Sequence, residues 1–196
     1  MRFPILAALA VTALPTVALA QSDPAAAPVQ ALDNGLLSIM KSHGGTAARA
    51  AAIQPVVDRS FDLPLMTRLS VGAAWTTMSP ADQQALVGAF RRLTVSSYAS
   101  NFNGWSGQSF TIAPQVETRG GDKLVRTTLN NPKGGPVAIS YRLRQSGGGW
   151  RIIDVFYKNS ISQLATRRSD FAAVLQSGGA KALVAHLNSL AAKAGG

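Results

Sequence analysis

The fold of this chain is decided by residues 123–157, KLVRTTLNNPKGGPVAISYRLRQSGGGWRIIDVFY. Within them, apolar and polar residues alternate over Lys123–Leu129, Val137–Leu143 and Trp150–Tyr157, and this period of two predicts β-strands. The connections between these segments are rich in glycine, proline and asparagine, which favour turns. Because the connections are too short to contain a crossover helix, we expect the strands to pair antiparallel.

The sequence on both sides of this stretch completes the prediction of the fold. Alternation over residues 110–116 indicates one more strand, so the sheet is expected to be a four-stranded antiparallel meander. Apolar residues recur at helical spacing in several segments between Val29 and Phe102, and again over Ser160–Leu175 and Ala180–Leu190. Helices and strands are thus segregated along the chain, which is typical of an α+β fold.

Two of the helix starts carry capping residues. Ser79 precedes Pro80 and Asp82, an arrangement in which the serine caps the helix and the proline occupies its first position. Asp62 stands in the same relation to Pro64. We therefore expect helices to begin directly after Ser79 and after Asp62.

Composition favours a binding protein over an enzyme. The 196 residues suffice for one domain, and they contain no cysteine, two histidines and one glutamate. Disulfides, thiolate metal sites and cysteine nucleophiles are therefore excluded, and hydrolytic or metal-dependent chemistry has few residues to use. We expect no enzymatic activity, no cofactor and no metal site.

The chain is strongly basic, with 19 lysines and arginines against 9 aspartates and glutamates and a net charge of +10. The basic residues are dispersed, and the largest clusters are the pairs Arg91-Arg92 and Arg167-Arg168. Because nucleic-acid binding normally requires a concentrated basic patch, we expect no nucleic-acid partner. Transient contact with an anionic membrane surface fits the charge better.

The N-terminus has the pattern of a secretory signal peptide. An apolar run over Phe3–Leu14 follows Arg2, and Ala18-Leu19-Ala20 fits the small-residue rule for signal peptidase. We expect residues 1–20 to be removed, residues 21–28 to be a flexible leader, and residues 29–196 to form a single domain. An uncleaved membrane anchor is the alternative, but the apolar sequence over Phe3–Ala20 is short for a membrane span and contains two prolines.

The last strand of the predicted sheet is apolar on both faces. Uninterrupted alternation places Ile152 and Asp154 on one face and Ile153 and Val155 on the other. A sheet that is apolar over a whole face and covered by helices encloses either a closed core or a deep cavity. Periodicity does not distinguish the two.

Asp154 is expected to be buried, and a buried carboxylate requires a partner. Arg68, Arg92 and Arg168 are the candidate partners. We favour a structural ion pair between Asp154 and Arg168. The alternative is an enzyme in which an unpaired Asp154 acts as a general base in an apolar pocket.

Three collinear motifs resemble a known family. They are FDLPLMTR at Phe61–Arg68, WRIIDV at Trp150–Val155, and SISQLATRRSDF at Ser160–Phe171. In order and spacing, over residues 35–190, the chain is similar to the MlaC/toluene-tolerance family. The last motif most resembles the hopanoid-biosynthesis-associated HpnM branch of that family.

The resemblance implies a lipid carrier of the periplasm. Members have an NTF2-like cone in which a sheet and several helices enclose an apolar cavity for a lipid. They carry lipid between the inner and outer membranes and work with a membrane transporter that contains an MCE-type protein. A phospholipid and a hopanoid are both admissible as cargo. An accessory protein of a hopanoid transport complex, without lipid of its own, is a further alternative.

Nine residues from every layer of this cone are the candidates for the cavity wall. They are Trp75, Phe90, Tyr98, Tyr141, Ile153, Val155, Ile161, Leu164 and Phe171.

Overall fold

The computed structural model describes residues 23–196, so the signal peptide expected at residues 1–20 lies outside the described part. Within these described residues, five α-helices pack against one sheet. They are α1 (Ala26–Lys41), α2 (Thr46–Ser60), α3 (Leu63–Val71), α4 (Pro80–Asn101) and α5 (Gln163–Gly195), with a short 3₁₀ helix (Gly72–Thr77) between α3 and α4.

The two capped helix starts are confirmed. Ser79 Oγ accepts a hydrogen bond from the backbone N–H of Asp82 at 3.1 Å, and Pro80 is the first residue of α4. At α3, Asp62 Oδ1 accepts from the N–H of Leu65 at 3.0 Å. Each cap satisfies a backbone donor that has no partner within its own helix.

The sheet is antiparallel, as the sequence predicts, but it has six strands where four are expected. The strands are β1 (Ser109–Ile112), β2 (Glu117–Arg119), β3 (Asp122–Asn130), β4 (Val137–Ser146), β5 (Gly149–Tyr157) and β6 (Ile161–Ser162). Their order is β1-β3-β4-β5-β6, and β2 pairs with β3.

The two additional strands have separate causes. The strand expected over residues 110–116 is interrupted at Pro114, which has no N–H to donate, so β1 and β2 pair one after the other along β3. The second additional strand, β6, has only two residues, which pair with Phe156 and Tyr157. A strand of this length is too short for a periodic pattern to reveal it.

A β-bulge changes which residues of β5 face the helices. The pairing of β4 with β5 shifts between Arg142 and Leu143: Tyr141 lies opposite Val155, whereas Leu143 lies opposite Ile152. The additional residue places Ile152 and Val155 on the same face, where uninterrupted alternation places them on opposite faces. The expectation from alternation is therefore wrong at this point.

The expectation of a flexible leader over residues 21–28 is also wrong for residues 23–28, the part of it that the structure describes. Asp23 accepts a hydrogen bond from Lys123 Nζ at 2.7 Å, Ala25 is completely buried, and α1 already begins at Ala26. Proline and alanine give these residues no periodic apolar face, but an ion pair to β3 and one buried methyl group fix them to the domain.

None of the helices within residues 23–196 combines the length and the apolar character that crossing a membrane requires. The apolar core lies between the sheet and the helices, and α4 and α5 pack against each other along much of their length. The helix α5 is interrupted at Gly179, whose φ of 64° and ψ of −160° are not helical. A residue with a Cβ is strained at such a positive φ.

Candidate functional site: an open cavity between helices and sheet

An open cavity with a volume of about 720 Å³ lies between the helices and the sheet. Ligand sites for small organic molecules typically measure about 300–1,000 Å³. Residues of α3, α4 and α5 form one side of the wall, and residues of β3, β4 and β5 form the other. The apolar lining residues are Met40, Phe61, Met66, Phe90, Phe102, Leu129, Val137, Ile139, Val155 and Leu164.

Four of the lining residues, Met66, Ser70, Phe90 and Arg167, come from α3, α4 and α5. Met66, Ser70 and Phe90 are buried. The guanidinium of Arg167 lies over the Phe90 ring, 4.6 Å from the ring centre. Burial lowers the pKa of this guanidinium below its ordinary value, because desolvation disfavours the charged form.

The mouth of the cavity is formed by Asn101, Asn103, Gly104 and Tyr157, which line it and are exposed to solvent. The helix α4 contributes lining residues from the buried Phe90 to the exposed Asn101. At about 1.5 Å per residue, the part of α4 between Phe90 and Asn101 is about 16 Å long.

Large exposed apolar side chains gather around the mouth. Within the described residues there are three: Trp105 is 49 % exposed, Ile161 is 48 % exposed and Tyr157 is 43 % exposed. Tyr157 lines the cavity, Ile161 pairs with Tyr157, and Trp105 follows the lining residue Gly104. We call Trp105, Tyr157 and Ile161, together with Lys41 and Lys158, the mouth surface.

The lysines of the mouth surface lie against its aromatic rings. Lys41 Nζ is 5.0 Å from the centre of the Trp105 ring, and Lys158 Nζ is 5.6 Å from that of Tyr157. The segments that contain these residues and the β3–β4 turn, residues 40–46, 101–108, 131–136 and 157–163, include no aspartate or glutamate. The mouth surface is therefore both apolar and positively charged.

Two tyrosines lie in the middle of the cavity wall. Tyr98 of α4 and Tyr141 of β4 both line it, and burial raises the pKa of both phenols because it disfavours the phenolate. Tyr98 packs between Phe61 and Phe102, with a ring-centre distance of 5.9 Å to each. Both hydroxyl groups therefore remain protonated at neutral pH.

Sequence comparison decides the family. Residues 30–189 match the family described as MlaC protein. This chain belongs to the MlaC family.

This MlaC family member is similar in structure to a phospholipid-binding protein from Ralstonia solanacearum that was solved in complex with a phospholipid. The two structures agree with a TM-score of 0.76 and 26% sequence identity, and the match covers 88% of this chain and 99% of that chain. The mixed α+β fold with an antiparallel sheet, predicted from the sequence, is confirmed.

The structure of this MlaC family member brings five of the nine candidate wall residues together around the cavity. They are Phe90, Tyr98, Tyr141, Val155 and Leu164. The other four lie elsewhere in the described part of the chain.

Those four residues have three different surroundings. Ile153, the bulge residue, is buried outside the lining, and so is Phe171, which packs edge-on against Phe90 at 6.3 Å. Trp75 packs partly buried against the core from the 3₁₀ helix. Ile161 is exposed on β6.

The expected ion pair between Asp154 and Arg168 is absent among residues 23–196. Asp154 is buried, but its carboxylate accepts hydrogen bonds from Ser162 Oγ at 2.6 Å, from the N–H of Val155 at 2.8 Å and from the N–H of Leu164 at 3.0 Å. Arg168 is exposed instead. The start of α5 supplies donors that need an acceptor, so the carboxylate is satisfied without a cation.

The same geometry weakens the enzyme alternative. Asp154 is not one of the lining residues of the cavity, and its oxygens are engaged in structural hydrogen bonds. Within the part of the chain that the structure describes, no three His, Cys, Asp or Glu side chains lie together as a metal site requires.

Sequence reasoning missed Arg167 as a cavity residue. The signal was present: Arg167 lies four positions after Gln163 and four before Phe171, a spacing that places all three on one side of a helix. Gln163 lines the cavity and Phe171 is buried beside it. The exposed Trp105 follows no periodic pattern, so its position at the mouth depends on the tertiary structure.

Proposed function

We propose that this protein is a periplasmic carrier that binds a phospholipid or a hopanoid in its cavity and transfers it between the inner and outer membranes. In this proposal residues 1–20 are a cleaved signal peptide, and residues 29–196 belong to a single lipid-binding domain. The protein receives or delivers its cargo through a membrane transporter with an MCE-type component. Its place within the family is the HpnM branch.

The observation that carries the proposal is the open, mostly apolar cavity of about 720 Å³ in a member of the MlaC family. A relative of the same fold binds a phospholipid. Ten ordinary apolar side chains line the cavity alongside polar ones, and apolar contact of this kind is sufficient for binding an acyl chain. Burial of each CH₂ group contributes about 0.8 kcal/mol without directional contacts.

The wall residues Val155 and Leu164 provide the direct test. If the cavity holds lipid, Val155→Trp and Leu164→Trp add volume to empty space, so the melting temperature of the delipidated protein should change little. Lipid that co-purifies from the native periplasm, identified by native mass spectrometry and extraction, should decrease several-fold. In a closed core the same larger side chains would overpack the structure and lower the free energy of unfolding by about 1–3 kcal/mol.

Ala172→Trp is the matched control. Ala172 lies on α5, exposed and outside the lining, so the same side chain there should leave bound lipid at the wild-type level. Wild-type protein that never carries lipid, together with destabilised Val155→Trp and Leu164→Trp variants, would contradict the carrier proposal. That result would favour an accessory protein without lipid of its own.

Transient docking on anionic membranes is assigned to the mouth surface. Trp105 and Tyr157 are suited to the interface between headgroups and acyl chains, and a lysine near an anionic membrane contributes about 1 kcal/mol. The segments around the mouth contain no carboxylate to oppose this attraction. Docking there brings the opening of the cavity against the lipid.

Co-sedimentation with vesicles tests the docking. The wild type should bind vesicles that contain phosphatidylglycerol and not pure phosphatidylcholine vesicles. Lys158→Glu should weaken this binding about fivefold or more. Arg59→Glu is the control, because Arg59 is an exposed cation whose carbonyl oxygen contacts Arg151, near the end of β5 opposite Tyr157. Equal losses in the two variants would reject a specific docking face.

A further inference from the structure

The side of the sheet that faces away from the cavity carries a cluster of arginines. In an antiparallel sheet, residues directly opposite one another point to the same side, and the paired residues Tyr141 and Val155 both line the cavity. Residues that alternate with these two along the paired strands lie on the other side. Five of those residues are arginines, and we call them the arginine face: Arg119, Arg126, Arg142, Arg144 and Arg151.

Two carboxylates are bound by the arginine face within the chain. Asp122 is buried and accepts from Nε of Arg142 and from Nε of Arg144, each at 2.6 Å. Glu117 accepts from Nε of Arg126 at 2.7 Å. The hydrogen bond from Arg144 lowers the pKa of Asp122 below its ordinary value, and that from Arg126 lowers the pKa of Glu117. Both carboxyl groups are therefore ionised at neutral pH.

The carboxylates of this side neutralise only part of the charge. Five arginines against Glu117, Asp122 and the buried Asp154 leave a formal net charge of +2. The side chains of Arg119 and Arg142 are 63% and 46% exposed, so both keep N–H donors that reach solvent. An external anion can therefore bind to them without displacing the internal partners.

Two residues of the arginine face are placed against each other. Arg144 of β4 lies directly opposite Arg151 of β5. Like charges at directly opposed positions of neighbouring strands are destabilising. Arg151 donates to two backbone carbonyl oxygens, those of Asp58 and Arg59 at 3.1 and 2.8 Å, which carry no charge. A carboxylate from outside the chain would reduce the repulsion that remains.

The composition of the arginine face favours a protein over a membrane as its partner. Membrane contact requires apolar or aromatic side chains at the interface, and the three large exposed ones within residues 23–196 belong to the mouth surface. A guanidinium binds a carboxylate through two parallel N–H···O bonds, which matches aspartate and glutamate. A second copy of this chain is disfavoured, because its net charge of +10 repels a like surface.

The spacing of the arginines along β4 defines the form of the partner. Side chains two residues apart on a strand point to the same side and are separated by about 6.6–6.8 Å. Arg142 and Arg144 have this spacing, and so do alternate side chains of an extended peptide. A segment with an acidic residue at every second position therefore presents successive carboxylates at the interval of the arginines.

We propose that the arginine face docks an extended acidic segment of a partner protein, with aspartate or glutamate at every second position. The proposal goes beyond the carrier function, because it concerns the side of the sheet that does not line the cavity. A partner bound there is held by charge, so the association should weaken as the salt concentration rises.

Binding of synthetic peptides, measured by fluorescence anisotropy, tests the proposal. The probe is a peptide of alternating glutamate and serine. One comparison peptide replaces each glutamate by glutamine, and the other places the same glutamates in one contiguous block. The alternating glutamate peptide should bind the wild type about tenfold more tightly than the glutamine peptide, which corresponds to about 1.4 kcal/mol. It should also bind more tightly than the contiguous block, which has the same charge without the spacing.

Variants locate the binding on the arginine face. Arg142→Gln should weaken binding of the alternating glutamate peptide about threefold, because it removes one exposed guanidinium. Arg144 still pairs with Asp122 in this variant, so its melting temperature should stay close to that of the wild type. Arg119→Gln, at another exposed arginine, should cause a similar loss. Arg168→Gln is the matched control: it removes the same charge from an exposed position of α5 and should bind the peptide as the wild type does.

Equal affinity of the wild type for the alternating peptide and for either comparison peptide would overturn the proposal. Equal losses in Arg142→Gln and Arg168→Gln would also overturn it, because they indicate attraction by net charge alone. Vesicles that contain phosphatidylglycerol should bind Arg142→Gln as they bind the wild type, and a loss as large as that of Lys158→Glu would assign the arginine face to membranes instead. Failure of the carrier function is measured separately, since the lipid that co-purifies with the protein does not depend on these peptides.

Discussion

Asp33 and Asp154 are buried to the same degree, at 0% and 3% exposed, in very different surroundings. Asp154 lies where β5, β6 and the start of α5 meet, and three donors point at its carboxylate. Asp33 lies in the middle of α1, and within residues 23–196 neither of its oxygens has a hydrogen-bond partner. Burial raises the pKa of Asp33 to about 7, because desolvation disfavours the carboxylate.

The difference follows from where each residue stands in its element. The first turn of a helix has backbone N–H groups without intrahelical acceptors, and Asp154 receives one of them from Leu164. The backbone donors around Asp33 are already used inside α1, so burial of its side chain is not compensated. The position of a carboxylate relative to free donors therefore decides the energetic effect of burial.

The largest expected difference between Asp33 and Asp154 is their effect on how the free energy of unfolding depends on pH. Asp33 has a pKa of about 7 in the folded protein, against an ordinary aspartate pKa of 3.8 in the unfolded chain. Between these values the folded state keeps a proton that the unfolded state has lost, so the free energy of unfolding decreases as pH rises from about 4 to 7. The decrease attributable to Asp33 is up to about 4 kcal/mol.

Urea unfolding at a series of pH values measures this dependence. Asp33→Asn should flatten the curve between pH 4 and 7 and should be more stable than the wild type at pH 8. Asp170→Asn, at an exposed position on α5, should reproduce the wild-type curve. Parallel curves for Asp33→Asn and the wild type would mean that Asp33 is stabilised by a partner.

Removing the carboxylate of Asp154 should destabilise the protein, whereas removing that of Asp33 should stabilise it at pH 8. Asp154→Ala removes the acceptor of Ser162 Oγ and of the N–H groups of Val155 and Leu164, and should destabilise the fold by about 3 kcal/mol. The free energy of unfolding at pH 7 is the measurement, with Asp170→Ala as the control. A loss below about 1 kcal/mol would show that water replaces the carboxylate, and the contrast with Asp33 would then be lost.

Ser162 and Ser60 differ in the same way as Asp154 and Asp33, with a smaller expected effect on stability. Ser162 Oγ donates to Asp154 and accepts from the N–H of Ala165 at 2.9 Å, whereas Ser60 Oγ is buried without a partner among the described residues. Ser162→Ala should cost about 1–2 kcal/mol, and Ser60→Ala should change stability by less than about 0.5 kcal/mol. Thermal unfolding of both variants measures the difference, and equal losses would refute it.

The comparison also explains which parts of the fold could be predicted from the sequence. Asp154 was correctly expected to be buried, but the sequence points to distant arginines and not to the N–H groups of its own neighbourhood. The capped starts of α3 and α4 could be predicted because their signals are local. Three of the strands could be predicted because each has a long uninterrupted alternation.

The features of the fold and the cavity that could not be predicted depend on tertiary contacts, which the periodicity of the sequence does not reveal. Pro114 divides one expected strand, and the bulge at Ile153 reverses the facing of β5, so Val155 lies on the same face as Ile152. Arg167 and Arg168 are adjacent and chemically identical, and only the packing of α5 places one in the cavity and the other in solvent. Val155 lines the cavity although the alternation of β5 is broken by the bulge, and Phe171 follows the helical spacing of α5 but lies outside the lining.

The absence of acidic residues from the segments around the mouth also has a kinetic consequence. The carboxylates of the chain lie outside residues 40–46, 101–108, 131–136 and 157–163, whereas Lys41, Lys133 and Lys158 lie within them. If the protein docks on anionic membranes through the mouth surface, as proposed above, the attraction of these lysines acts within about a Debye length, roughly 8 Å at physiological salt. This attraction would favour approaches in which the opening of the cavity faces the bilayer, so fewer collisions would require the molecule to reorient.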